Sequence, residues 1–302
     1  MNILLFSHVE VSAIPTAGGI QRVTQLLANA FINECGYNCY HAFYYANSKD
    51  DAKINFKDKI QLSWGKEYKD LSDFLLKNKI DLILFQNILG DGEALLQQLR
   101  RAADDVNAKI ILCLHVAPDS CLAKPNASAE FYRLVGGILP KKSITKLTTA
   151  LFPRLLFNKL AKWQTKKTFS QYNRYFDKIV LLSESFIDTY CEFSDISAEM
   201  KNKITAIPNP LTFSEYINPQ EFDKKQKEVL ILSRMSERQK RVSDALKIWQ
   251  QVQNKTDISD WKLVIVGGGE DTEWLKNKAK KLKLTNYSFE GVQNPLAYYK
   301  RA

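Results

Sequence analysis

Short continuous apolar runs alternate with longer stretches of helical spacing along this chain. Ile3–Phe6, Ile80–Phe85 and Ile110–His115 read as strands, the last two covered on both faces. Asp177–Leu182 and Ile204–Ile207 read the same way, the second ending at Pro208-Asn209-Pro210. Between them Gln21–Asn33 carries Val23, Leu26, Leu27, Ala30 and Phe31 at helical spacing. Glu93–Ala103 and a stretch from about Glu184 are further helices. After the polar, charged stretch Asn218–Glu228 a new series starts. It has the strand Val229–Ser233, a basic turn in which Lys240 opens a helix, the strand Leu263–Val266, and a third strand ending at Glu290-Gly291. Strand–helix alternation with short links predicts α/β architecture with parallel sheets. The expected domains are 1–217 and 218–302.

One segment breaks the alternation. Phe131–Phe176 contains no Asp or Glu and carries ten basic residues, Arg133, Lys141, Lys142, Lys146, Arg154, Lys159, Lys162, Lys166, Lys167 and Arg174. Apolar residues such as Ile144, Leu151, Leu155 and Trp163 are interleaved with them, so a basic amphipathic surface kinked at Pro153 is expected. Two readings stand side by side: a helix packed on the core with a solvated basic face, or a surface for anionic membranes. No zinc, helix-turn-helix or RNP pattern supports nucleic acid as the partner.

Composition narrows the classes. Lys and Arg outnumber Asp and Glu by 43 to 33, a net charge of +10, which favours an anionic partner. A 45% hydrophobic content suits a packed core and excludes a disordered chain. The five cysteines fit neither a disulfide framework nor a zinc site, and are expected as reduced, mostly buried thiols of a cytoplasmic protein. No apolar run approaches the ~18 residues needed to span a bilayer. The start, Met-Asn-Ile-Leu-Leu-Phe-Ser-His, lacks the basic region of a signal peptide and reads as a strand.

Residues at the carboxyl ends of parallel strands carry the candidate chemistry. Arg234 ends one such strand and Lys240 follows in the basic turn, with Arg238 as its competitor; a pyrophosphate would need such cations. A solvated basic loop is the plain alternative. Gly267-Gly268-Gly269 follows the next strand and would let a ligand approach the backbone, or form only a tight turn. With Glu290 it mimics a dinucleotide fingerprint, but Thr272 stands where the third glycine belongs. Gly18-Gly19 precedes a helix whose free N–H groups could face phosphate. His115 closes its strand and is either a site residue or a satisfied structural histidine, with His8 as a second candidate. Ser183-Glu184 and Pro208-Asn209-Pro210 read as a helix N-cap and a rigid turn.

Taken together, the Ser233-Arg234…Lys240 turn, the triple glycine and the Glu290-Gly291 strand end resemble the donor-binding domain of the family-4 retaining glycosyltransferases, of GT-B fold. The resemblance is close over 229–302 and loose over the rest. It implies two Rossmann-like lobes facing a cleft, the second incomplete. It implies transfer of a sugar from a nucleotide-diphosphate donor to a saccharide or lipid-linked acceptor, with retention and no metal, in cell-surface polysaccharide or glycolipid synthesis. Arg234, Lys240, Gly18 and Gly19 would hold the diphosphate. His115 would orient the sugar, and Gly267, Gly268, Gly269, Gly291 and Val292 would flank the base. The Arg-to-Lys spacing is one residue longer than the family's commonest, and Asn209-Pro210 stands where the family usually has Asn-Gly. The family's acidic Glu-x7-Glu loop would follow Ala302, so this chain is expected to lack turnover. Two other classes remain: a nucleotide- or NAD-dependent α/β enzyme, and a non-catalytic, membrane-attached scaffold.

Overall fold

The computed structural model describes residues 1–11, 19–46, 54–63, 70–86, 92–135, 140–194, 196, 198–213, 215, 217–255 and 259–302. Two compact units divide them, one of 1–121 with 160–212, the other of 122–159 with 213–302. The second unit begins at Phe213 and also takes in residues 122–159, which the expected division assigns to 1–217.

The first unit is built on a parallel seven-stranded sheet. Its chain order is β1 (Asn2–Val9), α1 (Gly19–Asn33), β2 (Asn38–Tyr45), β3 (Lys59–Gln61), α2 (Leu71–Lys77), β4 (Leu82–Gln86), α3 (Glu93–Asp105) and β5 (Lys109–Cys113). The chain then leaves for the second unit through α4 (Ala127–Val135) and α5 (Pro140–Leu151). It returns along α6 (Arg154–Tyr175) to β6 (Lys178–Leu181), α7 (Ser185–Ser194), α8 (Ala198–Lys201) and β7 (Ile204–Ala206). Strand order is β3-β2-β1-β4-β5-β6-β7, so the order reverses between β1 and β4. The apolar runs are buried on both faces as their composition requires: Ile3, Leu5, Ala28 and Leu84 form one core cluster, while Phe6 packs edge-on against Phe85 at 5.0 Å.

β2 was not expected, because Asn38–Tyr45 places a cysteine and a histidine inside its apolar run. Both are fully buried. His41 stacks on Phe56 at 4.9 Å and its Nε2 lies 3.0 Å from Ser7 Oγ. Burial, with the Lys59 charge second, lowers its pKa to about 3. Cys39 is the single buried thiol of the five; Cys35 is exposed and the other three are half-buried, all unpaired.

The second unit carries β8 (Glu228–Leu232), α9 (Glu237–Lys240), α10 (Val242–Lys255), β9 (Lys262–Val266), α11 (Thr272–Lys281), β10 (Tyr287–Gly291) and α12 (Pro295–Arg301). Its three strands are parallel in the order β10-β9-β8. Met235, Leu246, Ile265, Trp274 and Leu275 form its core, and Ala129 of α4 is buried among them. Arg133, one turn further along α4, explains why 122–159 belongs here. Its side chain is 3% exposed and meets Glu130 at 2.8 Å, Glu270 at 3.1 Å and Asp271 at 3.1 Å. Asn277 Nδ2 donates to the Tyr132 hydroxyl from the same side. Arg133 therefore does not belong to the exposed basic surface expected of 131–176, and part of that surface lies on the second unit. Pro153 does not kink one helix but separates α5 from α6; Phe157 N donates to its carbonyl, so the proline sits at a helix start, where its missing N–H costs nothing.

Replacing Arg133 with Leu strands Glu130 and Asp271 in the core without their cation, and is expected to cost about 3–5 kcal/mol of stability by urea unfolding. A second test follows from His41. Its folded pKa lies below the ordinary 6.5, so between pH 6.5 and about 3 the unfolded chain binds a proton that the folded chain refuses. Stability should fall as pH drops through that window, by up to ~1.4 kcal/mol per pH unit from this group. In His41→Phe the same titration should be flatter.

Candidate functional site

The C-terminal sheet presents three loops at its carboxyl edge, tied together through their backbones. After β8, Ser233 N donates to Val266 O and Met235 N to Gly268 O. After β9, Gly267 N donates to Gly291 O at 2.7 Å and Asp271 N to Met235 O at 3.1 Å. The glycines make this approach possible. A Cβ on Gly267, whose φ is +129°, would stand 1.9 Å from the Ser233 carbonyl oxygen, and one on Gly269 would stand 2.5 Å from that of Met235. A Cβ on Gly268 would meet Val292, itself exposed, at 3.1 Å. The triple glycine thus has a packing duty in the fold, between backbone and backbone.

Arg234 lies between the two pinned residues, Ser233 and Met235. It is exposed, and its guanidinium donates to Gln239 Oε1. Lys240 does not open a long helix as expected. It closes the single turn α9, and Arg241 follows in the left-handed conformation at φ +48° before α10 begins. The competitor Arg238 is engaged: its Nε donates to the Ala123 carbonyl at 3.3 Å. Lys240 is exposed and, among the described residues, has no ion-pair partner.

Glu237, unnoticed in the sequence, holds this turn. It is 3% exposed, and its carboxylate accepts from Ser243 Oγ, Ser243 N at 3.1 Å and Asn126 Nδ2 at 3.2 Å. A negative group there suits the N-terminus of α10. Its own N–H donates to Asp271 Oδ2 at 2.7 Å. Burial pushes the Asp271 carboxyl up, against the pull of that N–H and of Arg133. Burial raises Glu130 likewise, with Arg133 opposing it. Glu290 is half-buried and accepts from Ser288 Oγ at 2.6 Å.

On the first unit, His115 lies two residues beyond β5 and is half-buried. Its Nε2 is 2.5 Å from Oε1 of Gln86, the last residue of β4. Burial lowers its pKa below the ordinary histidine value, and a contact with Asn209 works in the other direction. Gln86 was missed in the sequence; the available signal was a polar residue directly closing the apolar run Ile80–Phe85, beside a strand that runs to a histidine. Gly18 lies outside the described residues. Gly19 is the first residue of α1, and a Cβ there would meet nothing within 4 Å. Arg234, Lys240, the glycine loop, Gly291 and Val292 are thus brought together on one unit, while His115 belongs to the other. Among the described residues no group of three His, Cys, Asp or Glu side chains could hold a metal ion.

Residues 212–302 match the family model described as glycosyl transferases group 1. No curated protein sequence matches the chain. Among solved structures, the lipopolysaccharide outer core galactosyltransferase WaaB in its apo form is 18% identical with a TM-score of 0.57, over 100% of this chain and 72% of that one. HepE from Anabaena, in complex with UDP and glucose, is 13% identical at 0.56, over 97% and 70%. WaaG, a glycosyltransferase involved in lipopolysaccharide biosynthesis, is 13% identical at 0.53, over 98% and 72%. These likenesses show the α/β GT-B fold, here with a small second sheet.

Gly267→Ala should cost about 1–3 kcal/mol from overlap with the Ser233 carbonyl. It should also release the β8 loop, seen as lost protection of the Met235 amide in hydrogen exchange. Gly19→Ala, with open space around it, should leave stability unchanged or raise it by up to about 1 kcal/mol.

Proposed function

We propose a nucleotide-sugar glycosyltransferase, on the match of residues 212–302 to the glycosyl transferases group 1 model and the GT-B fold of the chain. It moves a hexosyl group from a nucleotide-diphosphate donor to an acceptor hydroxyl with retention. The observation that carries the reading is Arg234. It is exposed at the carboxyl edge of β8, its backbone is fixed by the glycine loop, and Lys240 follows with no ion-pair partner among the described residues. As the bond to the anomeric carbon breaks, negative charge builds on the leaving diphosphate, and fixed cations stabilise that charge more than they stabilise the bound donor. Gly19 at the start of α1, with Gly18 before it in the sequence, would offer N–H groups to a phosphate. Gly267–Gly269, Gly291 and Val292 flank the base, and His115 orients the sugar. The two cations replace a metal in this scheme.

The neighbour HepE was solved with UDP and glucose, which favours UDP as the base-bearing part of the donor. Calorimetry with UDP, GDP, ADP and NAD separates the classes: a scaffold binds none of them, and a dehydrogenase prefers NAD. Arg234→Ala should weaken UDP binding by about 1.5–3 kcal/mol, the range for a hydrogen bond to a charged group. Unchanged affinity in a chain that binds UDP refutes the assignment. UDP binding should persist in EDTA, as a site that uses cations in place of a metal requires.

The acceptor side of the proposal is a cell-surface saccharide or lipid-linked acceptor, made at the cytoplasmic face of a membrane. What supports it is the surface of α5 and α6. Leu151 is 70% exposed and Leu155 78%, with Ile144, Leu156 and Trp163 at least half exposed. Arg154 and Lys159 lie exposed among them. Apolar side chains flanked by cations fit the interface of an anionic bilayer. No described helix is long and apolar enough to cross one. The chain should sediment with anionic vesicles, less so as salt rises, and a Leu155→Asp variant should lose most of that binding. Equal sedimentation with neutral and anionic vesicles removes the electrostatic part.

A further inference from the structure

We propose that Gln86 is a positioning residue: it fixes the tautomer of His115, so that Nδ1 is held as a hydrogen-bond acceptor for a hydroxyl of the donor sugar. The inference rests on the reading of His115 just given.

Gln86 ends β4 beside β1, where the strand order reverses. In doubly wound sheets the ligand crevice opens at that point. The side chain is 1% exposed, and its Oε1 lies 2.5 Å from His115 Nε2. A neutral imidazole has one N–H and one lone pair, and an amide oxygen only accepts. Nε2 therefore carries the proton and donates it to Gln86, and the lone pair falls to Nδ1. Nothing among the described residues takes that lone pair: His115 Nδ1 and Gln86 Nε2 are both buried without a hydrogen-bond partner. The Asn209 side chain stands close enough to favour the protonated ring, but makes no hydrogen bond to Nδ1. Burial is the larger effect, and it holds the ring neutral.

Buried polar atoms in folded proteins are nearly always paired. Two orphans on hydrogen-bonded partners, at the reversal point of the sheet, mark the place of a polar ligand. Their chemistry also selects which part of the donor. A bare imidazole nitrogen needs a donor, which a sugar hydroxyl supplies and a diphosphate oxygen does not. Nδ1 therefore belongs with the sugar end of the nucleotide sugar. Gln86 itself touches no reacting atom; it acts through the ring.

Nitrogen-15 correlation spectra of the histidine rings in the full chain test this. His115 is one of three histidines, and its signals are those missing from His115→Asn. At pH 7.5 the wild type is expected to show a protonated Nε2 and a bare Nδ1. Gln86→Glu should keep that tautomer, because a carboxylate also accepts from Nε2–H. Gln86→Met should lose it and populate both, with circular dichroism confirming the fold. Adding UDP-glucose or UDP-galactose should move Nδ1 more than Nε2. A protonated Nδ1 in the wild type overturns the proposal, as does an unchanged tautomer in Gln86→Met. So does an unmoved Nδ1 when calorimetry shows the nucleotide sugar bound. If calorimetry shows no binding of any nucleotide sugar, the donor reading falls and takes the hydroxyl with it, while the spectra still decide what Gln86 does to the ring.

Discussion

The absence of side chains at Gly267 and Gly269 is the constraint on which the C-terminal unit depends. Without it the Ser233–Met235 backbone could not lie against the loop after β9. That contact sets the path of the chain leaving β8, and so the direction in which Arg234 emerges. It also brings the Met235 carbonyl to the Asp271 amide, and Asp271 in turn accepts from the Glu237 amide. Glu237 then caps the start of α10 through Ser243. A chain of backbone and carboxylate hydrogen bonds thus runs from the glycine loop to the helix after the basic turn. The cations at its surface inherit their positions from groups that are themselves buried.

The same chain explains the charge hidden beneath it. Glu130 and Asp271 are removed from water, Glu270 is partly so, and among the described residues Arg133 meets all three, with Lys146 at 3.8 Å from Glu270. Burial raises both Glu130 and Asp271 despite the guanidinium. Such a cluster is a poor source of net stability, because desolvation consumes most of the attraction. What it does supply is register. An Arg on α4 that reaches three carboxylates cannot slide by a residue without stranding at least one of them, so the cluster fixes where 122–159 rests on the C-terminal sheet.

Much of the fold was legible because fully covered parallel strands leave continuous apolar runs, and Ile80–Phe85, Ile110–Leu114 and Leu263–Val266 all lie where those runs fall. β2 escaped because His41 and Cys39 interrupt its run, and they are tolerated only because tertiary packing buries them beside Phe56 and Ser7. The segment 122–159 was misplaced for a related reason. A count of lysines and arginines cannot tell a solvated Arg154 from a buried Arg133 when two of the carboxylates that claim the latter, Glu270 and Asp271, come from the far end of the chain. The glycine loop was recognised, but the sequence does not show that its closest neighbour is another loop of the same protein. Lys240 was placed at a helix start because the left-handed Arg241, which ends α9 one residue later, leaves no mark in the hydrophobic pattern.

A sugar nucleotide poses two recognition problems with opposite physical demands. Its diphosphate is anionic and gains charge as the glycosidic bond to it breaks, so it needs permanent cations on a backbone that does not relax. Its sugar is neutral and dense in hydroxyl groups, so charge would bring desolvation cost without selectivity, and oriented neutral donors and acceptors serve it better. The C-terminal unit sets Arg234 and Lys240 at the edge of a sheet whose loops are locked by glycine contacts. The N-terminal unit sets, at the reversal of its strand order, an amide and an imidazole that burial holds neutral. A histidine that charged near neutral pH would blur the distinction, since an imidazolium only donates. In the role proposed for His115, a neutral ring is therefore the condition for accepting from a hydroxyl.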